Sequence, residues 1–158
     1  MVISQTAEYA LRAVVSLAAQ GGGPLKTHDL AVGTKVPAGY LGKVLQSLAR
    51  ADVVKSHRGV KGGFTLVKAP EQITVLEVVN AVDPLRRIER CPLDFETHGS
   101  VLCPLHRRLD DAMAQVEAAF ASCTISEILR TPSMSRPLCD ASTAGGGAGP
   151  LAIGRLEP

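Results

Sequence analysis

Apolar residues recur at intervals of three and four positions over three stretches in the first third of the chain. This spacing puts them on one face of a helix, and it predicts helices over 5–19, 27–35 and 38–52. We expect Thr27 to be the N-cap of the second helix, because a threonine hydroxyl accepts a hydrogen bond from an amide of the first turn. Only a short turn separates the second and third helices, which is the pattern of a helix-turn-helix unit.

The pattern changes after residue 52. Two short runs that contain valine, threonine and phenylalanine lie on either side of the basic sequence RGVKGG, all within 53–67. Such runs around a glycine-rich turn predict a β-hairpin. A hairpin directly after a helix-turn-helix unit is a wing. The predicted fold is therefore mostly α-helical with a small β-hairpin wing, a winged helix-turn-helix.

Three further helices are predicted over 73–83, 104–123 and 124–130. The last begins with Thr124 and Glu127, which have the spacing of a capping box. The long middle helix carries a continuous apolar seam, and we expect this seam to meet a second copy of the chain. The alternative is a helix that packs on the chain's own core. The expected dimer-interface residues are Leu105, Leu109, Met113, Val116 and Phe120.

Positive charge is concentrated in the middle of the chain. The formal net charge is only +2, yet residues 26–68 contain eight lysines and arginines against two aspartates. A basic face on a winged helix indicates an anionic partner, which we expect to be double-stranded DNA. The expected DNA contacts come from the start of the second and third helices and from the wing: Thr27, Ala38, Gly39, Tyr40, Lys43, Lys55, Ser56, Arg58 and Lys61.

Other protein classes have little support in the sequence. Glu8 and Arg12 interrupt the first apolar run, unlike a signal peptide, and no stretch reaches the roughly 18–20 apolar residues of a membrane span. We therefore expect a cytoplasmic protein with reduced thiols. No nucleophile–base pair or phosphate-loop motif indicates an enzyme. Residues 131–158, rich in proline, glycine, serine and alanine, are expected to be a flexible tail.

Cys91 and Cys103 lie twelve positions apart, and each is followed by Pro-Leu. Three roles are compatible with this pair of cysteines: a disulfide, a metal or cluster site, or two thiols without a ligand. In the cytoplasm a disulfide is at most a transient switch, and zinc favours closer pairs such as C-x2-C. His106 lies three residues after Cys103, so in a helix both side chains can face one site.

Four stretches together resemble the Rrf2 family of bacterial winged-helix regulators. They are AEYALRAVVSLA, VPAGYLGKVLQSLARADVVKSHRGVKGGFTL, ITVLEVVNAVD and the cysteine-containing loop that leads into CPLHRRLDDA. The most specific part is RGxxGGF following YLxxxLxxL. The resemblance covers residues 1 to about 130 and excludes the tail.

The resemblance implies a homodimer whose protomers cross at the long helix, a palindromic DNA site and, in some members, a 2Fe–2S or 4Fe–4S cluster. Three loop cysteines and one further ligand hold such clusters, the latter in some members an acidic residue from the first helix of the other subunit. Cys91 and Cys103 match the first and last loop cysteines, whereas the middle one has no counterpart. Glu8 matches the acidic position.

The expected ligands are therefore Cys91, Cys103, His106 and Glu8, around a 2Fe–2S rather than a 4Fe–4S cluster, since histidines replace cysteines in Rieske 2Fe–2S centres. We expect a homodimeric repressor that senses redox state, nitric oxide or iron–sulfur status through the loop 91–106. Two alternatives stay open: a regulator without a cofactor, and a thiol–disulfide switch of Cys91 and Cys103. The expected parts are a DNA-binding domain (1–83), a sensor loop with a dimerisation helix (84–130) and the tail (131–158).

Overall fold

The computed structural model describes residues 3–91 and 101–132. Within these ranges the expected mostly helical fold with a two-stranded hairpin is confirmed. The expected tail lies outside the described residues from position 133 onward. The elements are α1 (Gln5–Ala19), α2 (Thr27–Thr34), α3 (Ala38–Arg50), β1 (Val54–His57), β2 (Gly63–Leu66), a 3-10 helix (Pro70–Gln72), α4 (Val75–Asn80), α5 (Pro104–Ser122) and α6 (Ile125–Arg130).

Helix α1 lies at the centre of the apolar core. The Ser4 hydroxyl accepts a hydrogen bond from the Ala7 amide and so begins the helix. Helices α2, α3, α4 and α6 all pack against α1. Because the chain has no tryptophan and only 3% aromatic residues, small and branched aliphatic side chains fill this core. The residues that α1 buries are Ala7, Ala10, Leu11, Ala13, Val14, Val15 and Leu17.

Helices α2 and α3 form the helix-turn-helix unit. Helix α2 ends at Thr34. Its C-cap residue, Lys35, has a left-handed backbone with φ of 55°, and the next residue, Val36, is buried. The prediction that Thr27 caps α2 was wrong by one residue, because Lys26 occupies the N-cap position and Thr27 is the first helical residue. Leu25 and Phe64 exchange two backbone hydrogen bonds of 3.0 and 2.8 Å, which keep the chain extended up to Lys26.

Strands β1 and β2 pair antiparallel, from Val54 opposite Leu66 to His57 opposite Gly63. Two glycines allow the close backbone contacts of this wing. A Cβ atom on Gly63 would collide with the backbone of Leu25, and one on Gly62 would collide with the carbonyl oxygen of His57. The glycine pair in RGVKGGF is therefore required by the geometry of the wing.

The end of the described chain folds back onto the winged helix. Ile125 is fully buried in the same core as α1, and its amide donates to the carbonyl of Ile73 at 2.9 Å. The Thr124–Glu127 capping box is confirmed. Helix α4 is shorter than the predicted 73–83. It begins at Val75, since Ile73 is engaged with this returning segment and Thr74 caps the helix, and it ends at Asn80.

Helix α5 differs from the other long helices because none of its 19 residues is buried in this single chain. It packs mainly against α4. No helix within the described residues is long and apolar enough to cross a membrane.

Candidate functional site

Cys91, Cys103 and His106, called the triad below, converge on one point. Cys103 occupies the N-cap position of α5 and His106 lies in its first turn, so the two face the same side as expected. Cys91 approaches from the segment before the loop and is buried. His106 Nδ1 lies 3.2 Å from Cys103 Sγ and 3.5 Å from Cys91 Sγ. All three ligand atoms lie within 4.8 Å of one another.

The triad residues fit a thiophilic metal centre. Thiolates and a neutral imidazole are donors that zinc and iron–sulfur irons accept. For a tetrahedral ion with bonds of about 2.3 Å to sulfur and about 2.1 Å to nitrogen, neighbouring donors lie about 3.5–3.8 Å apart, which is close to the sulfur–nitrogen distances of the triad. An iron–sulfur cluster would accept the same donors, with further ligands from outside the triad.

Glu8, the fourth expected ligand, is not part of this group within the described chain. It lies on α1, where its carboxylate pairs with the Arg12 guanidinium one turn later. Arg12 also donates to the Thr34 carbonyl at the end of α2, at 3.2 Å. A ligand role for Glu8 therefore stays a prediction that requires a second copy of the chain.

The other cysteines and the loop histidine divide between described and undescribed residues. His98 and Cys139 lie outside the described residues. Cys123 packs against the apolar core at the end of α5. None of the described cysteines forms a disulfide.

Asp110 fixes the segment that carries Cys91, and sequence reasoning missed it. Arg87 donates to both carboxylate oxygens, and the Ile88 amide donates to one of them. The Arg87 hydrogen bond, with help from the Ile88 amide, lowers the pKa of Asp110 to about 2. The same pairing raises the pKa of Arg87. The available signal was the position of Asp110 one turn after His106 on one helix face.

The wing presents its polar and basic residues to solvent. Lys55, Ser56, Arg58 and Lys61 are all exposed. His57, beside them, shares a hydrogen bond of 2.9 Å with Thr65 on the opposite strand. These residues surround a narrow turn with Gly59 at φ of 104°. The predicted basic hairpin therefore has the shape and charge of a nucleic-acid-binding wing.

The start of α2 lies beside the base of the wing. Lys26 and Thr27 line a shallow cleft together with Ser56, His57 and Phe64. The Leu25–Phe64 bridge joins the two sides of this cleft. Thr27 thus lies near the wing residues with which it was predicted to act.

At the start of α3, Ala38, Gly39 and Lys43 are exposed. Tyr40 is 43% exposed, but its hydroxyl shares a hydrogen bond of 2.7 Å with Thr6 and its ring meets the ring of Tyr9 edge to face. Tyr40 therefore joins α3 to α1, a contact that the sequence pattern does not indicate, and its predicted DNA contact would come from the exposed part of the ring.

The predicted dimer seam on α5 is partly covered by the chain itself. Phe120 packs against the core. Met113 and Val116 are half-buried, while Leu105 and Leu109 are 64% and 48% exposed. The first half of the seam is consequently the part available to a partner.

Comparisons with known proteins agree with this architecture. A family model described as Rrf2, iron-dependent transcriptional regulator, matches residues 3–131. An HTH-type transcriptional regulator of Mycobacterium tuberculosis is 39% identical over 121 residues, which are 73% of this chain and 75% of that protein. The HTH-type transcriptional repressor NsrR of Streptomyces coelicolor is 27% identical over 135 residues, 84% of this chain and 91% of that protein.

A solved structure gives the same result for the fold. CymR, the global cysteine regulator of B. subtilis, matches with a TM-score of 0.66 and 27% identity, over 79% of this chain and 93% of CymR. All three proteins are named as regulators, so the expectation of a regulator rather than an enzyme is confirmed.

Proposed function

Because the chain belongs to the Rrf2 family of transcriptional regulators, we propose that it is a homodimeric repressor whose affinity for DNA is set by an iron-containing group at the triad. The convergence of two thiols and one imidazole on a single point carries this proposal. The description of the matching family model as iron-dependent supports iron as the metal. Since its partner is chromosomal DNA, we place the protein in the cytoplasm.

On the DNA side, we assign binding to residues 1–83. The start of α3 enters the major groove, where Lys43 is the exposed cation. Arg58 at the tip of the wing reaches an adjacent minor groove, whose negative potential attracts arginine. Lys55 and Lys61 neutralise phosphates, and Thr27 with the first amides of α2 holds a further phosphate.

On the dimer side, we assign assembly and sensing to residues 84–130. Leu105 and Leu109 are exposed on α5 and form the first half of the seam. Covering them with the same surface of a second copy removes apolar area from water. A two-fold dimer presents two α3 helices, which accounts for a palindromic operator.

The group that we propose is an iron–sulfur cluster, 2Fe–2S rather than 4Fe–4S. Cys91 and Cys103 would hold it as thiolates, His106 through Nδ1, and Glu8 from a second copy. When bound, such a cluster supplies a centre that reacts with oxidants and nitric oxide. In this chain, Cys103 and His106 lie at the start of α5, so any change in their positions acts at the start of the proposed dimer helix.

A thiol–disulfide switch is the second candidate. The Sγ atoms of Cys91 and Cys103 lie within 4.8 Å of each other. Forming their disulfide needs a further local approach, releases two protons and passes two electrons to an oxidant such as a peroxide. This switch would act on the same two ends of the loop without a metal.

The test is to purify the protein without oxygen, record its visible absorbance, and count iron, acid-labile sulfide and zinc. We expect visible absorbance that Cys91→Ala and Cys103→Ala abolish and the control Cys123→Ala retains. Affinity for an operator selected from random double-stranded DNA should change when the cluster is removed. Protein without iron or sulfide after reconstitution contradicts the cluster. Oxidant-dependent DNA affinity that needs both cysteines would then identify the disulfide switch.

A further inference from the structure

The segment from Pro84 to Cys91 is neither helix nor strand, yet it must deliver Cys91 to the triad. Near its start the Leu85 amide donates to the Asn80 side chain at 3.0 Å. Farther along, Arg87 and Ile88 are both held by Asp110 of α5. Three residues after Ile88 the chain reaches Cys91. The Asp110 carboxylate therefore anchors the chain three residues before that ligand.

The contact with Asp110, called the clamp below, consists of three hydrogen bonds. Arg87 Nε donates to Oδ1 at 2.7 Å and Nη2 donates to Oδ2 at 2.6 Å, a bidentate arrangement. The Ile88 amide donates to Oδ1 at 2.9 Å. An exposed Arg–Asp pair alone contributes little to stability. The hydrogen bond from the Ile88 amide differs from this pair, because it holds the main chain rather than a side chain.

Asp110 follows His106 by four residues on the same helix, so both lie on one face of α5. Helix α5 thus carries two triad donors and the anchor of the third. We infer that Asp110 is a positioning residue for the metal centre, holding residues 87 and 88 so that Cys91 Sγ reaches His106 Nδ1. This inference rests on the proposed metal-binding role of the triad. Partners outside the ligands commonly change metal affinity by about 10–100-fold.

The clamp predicts a graded series of variants. Asp110→Ala removes all three hydrogen bonds of the clamp, whereas Arg87→Ala keeps the hydrogen bond that the Ile88 amide donates to Asp110. Loss of metal affinity should therefore be larger for Asp110→Ala than for Arg87→Ala. Asp111→Ala is the matched control, because Asp111 is the adjacent exposed aspartate on the same helix and takes no part in the clamp.

The experiment titrates the reduced, metal-free, full-length protein with cobalt(II) under nitrogen and follows the thiolate-to-cobalt absorption. We expect Asp110→Ala to raise the cobalt dissociation constant by about 10–100-fold and to lower the absorption per bound ion, as one thiolate ligand is lost. Circular dichroism should show unchanged helix content. Equal affinity and spectra for Asp110→Ala and Asp111→Ala would overturn the inference, while a wild type that binds no cobalt would overturn the metal role itself.

A measurement without metal separates failure of the clamp from failure of the proposed metal-binding role. Cys91 is buried in the described structure, so its alkylation in metal-free protein reports how firmly the segment is held. We expect Asp110→Ala to accelerate alkylation of Cys91, mapped by peptide, and to leave that of Cys123 unchanged. An unchanged Cys91 rate would show that the clamp does not hold the segment, whatever metal the wild type binds.

Discussion

Helices α1 and α5 are both long and amphipathic, but they bury their apolar residues to very different extents. Helix α1 buries seven of its residues, and α5 buries none although it is four residues longer. The first is surrounded by four helices of its own chain, while the second packs mainly against α4. The winged helix therefore fills its core within one chain, whereas α5 leaves apolar side chains exposed, as the proposed dimer requires.

The largest expected effect is the loss of assembly. Leu109→Asp places a charge in the exposed half of the seam, and an unpaired charge is costly to bury. We expect this variant to be monomeric by light scattering, with loss of binding to a palindromic operator. It would keep the wild-type circular dichroism spectrum, because Leu109 is 48% exposed in the single chain.

Ala118→Asp is the matched control for the seam. Ala118 is exposed and lies nine positions after Leu109, which at about 100° per residue is the opposite side of the helix. It should remain dimeric. A monomeric wild type, or equal effects of both substitutions, would remove the contrast between the two helices.

The next effect concerns the core around α1, which the single chain fills by itself. Ile125→Ala deletes a fully buried side chain of α6 from the core around α1. We expect the free energy of unfolding to fall by about 2–5 kcal/mol, measured by urea denaturation. In the monomeric Leu109→Asp background, Leu105→Ala, on a residue that is 64% exposed, should change the free energy of unfolding by no more than about 0.5 kcal/mol. Equal losses of unfolding free energy for Ile125→Ala and Leu105→Ala would mean that Leu105 is buried within the single chain.

A smaller effect is expected on DNA affinity. Arg58→Ala should weaken operator binding by about 1–3 kcal/mol if the side chain reads a groove. Lys55→Ala should weaken specific and non-specific DNA alike and lower the salt slope by about one. Arg50→Ala, at the other end of α3, is the control in a salt-titrated fluorescence assay. If all three variants match wild type, the wing does not contact DNA.

The smallest effect is a pH dependence. Asp110 has its pKa lowered by the Arg87 hydrogen bond to about 2, against an ordinary value near 3.8. Its stabilising contribution is therefore complete above pH 3.8 and is lost as the pH falls towards 2. Urea midpoints at pH 5, 3 and 2 should fall more for wild type than for Asp110→Asn. Equal decreases in the urea midpoints of wild type and Asp110→Asn would show that the Asp110 carboxylate does not contribute to stability.

Local patterns were enough to predict most elements. The helices α1, α3 and α5, the wing and the Thr124–Glu127 capping box all follow from short-range spacing, because helix faces, turn glycines and caps depend on neighbours in sequence. The errors occurred where distant segments meet. Thr27 does not cap α2, since the Leu25–Phe64 bridge keeps the chain extended up to Lys26. Helix α4 begins only at Val75, since the Ile73 carbonyl accepts a hydrogen bond from the Ile125 amide.

The sequence by itself determined the winged-helix fold, the basic wing and the convergence of Cys103 with His106, since three helical residues separate that pair. Spacing along the chain did not place Cys91 beside them, and only the resemblance suggested it. The tertiary structure brings the segment before Cys91 to α5, where the Asp110 carboxylate holds Arg87 and the Ile88 amide across more than twenty residues of chain. It also decided that Phe120 belongs to the core while Leu105 remains exposed, since the same seam turns from the chain's own core towards solvent along α5. A contact between remote segments depends on how whole elements pack, which spacing along one helix does not specify.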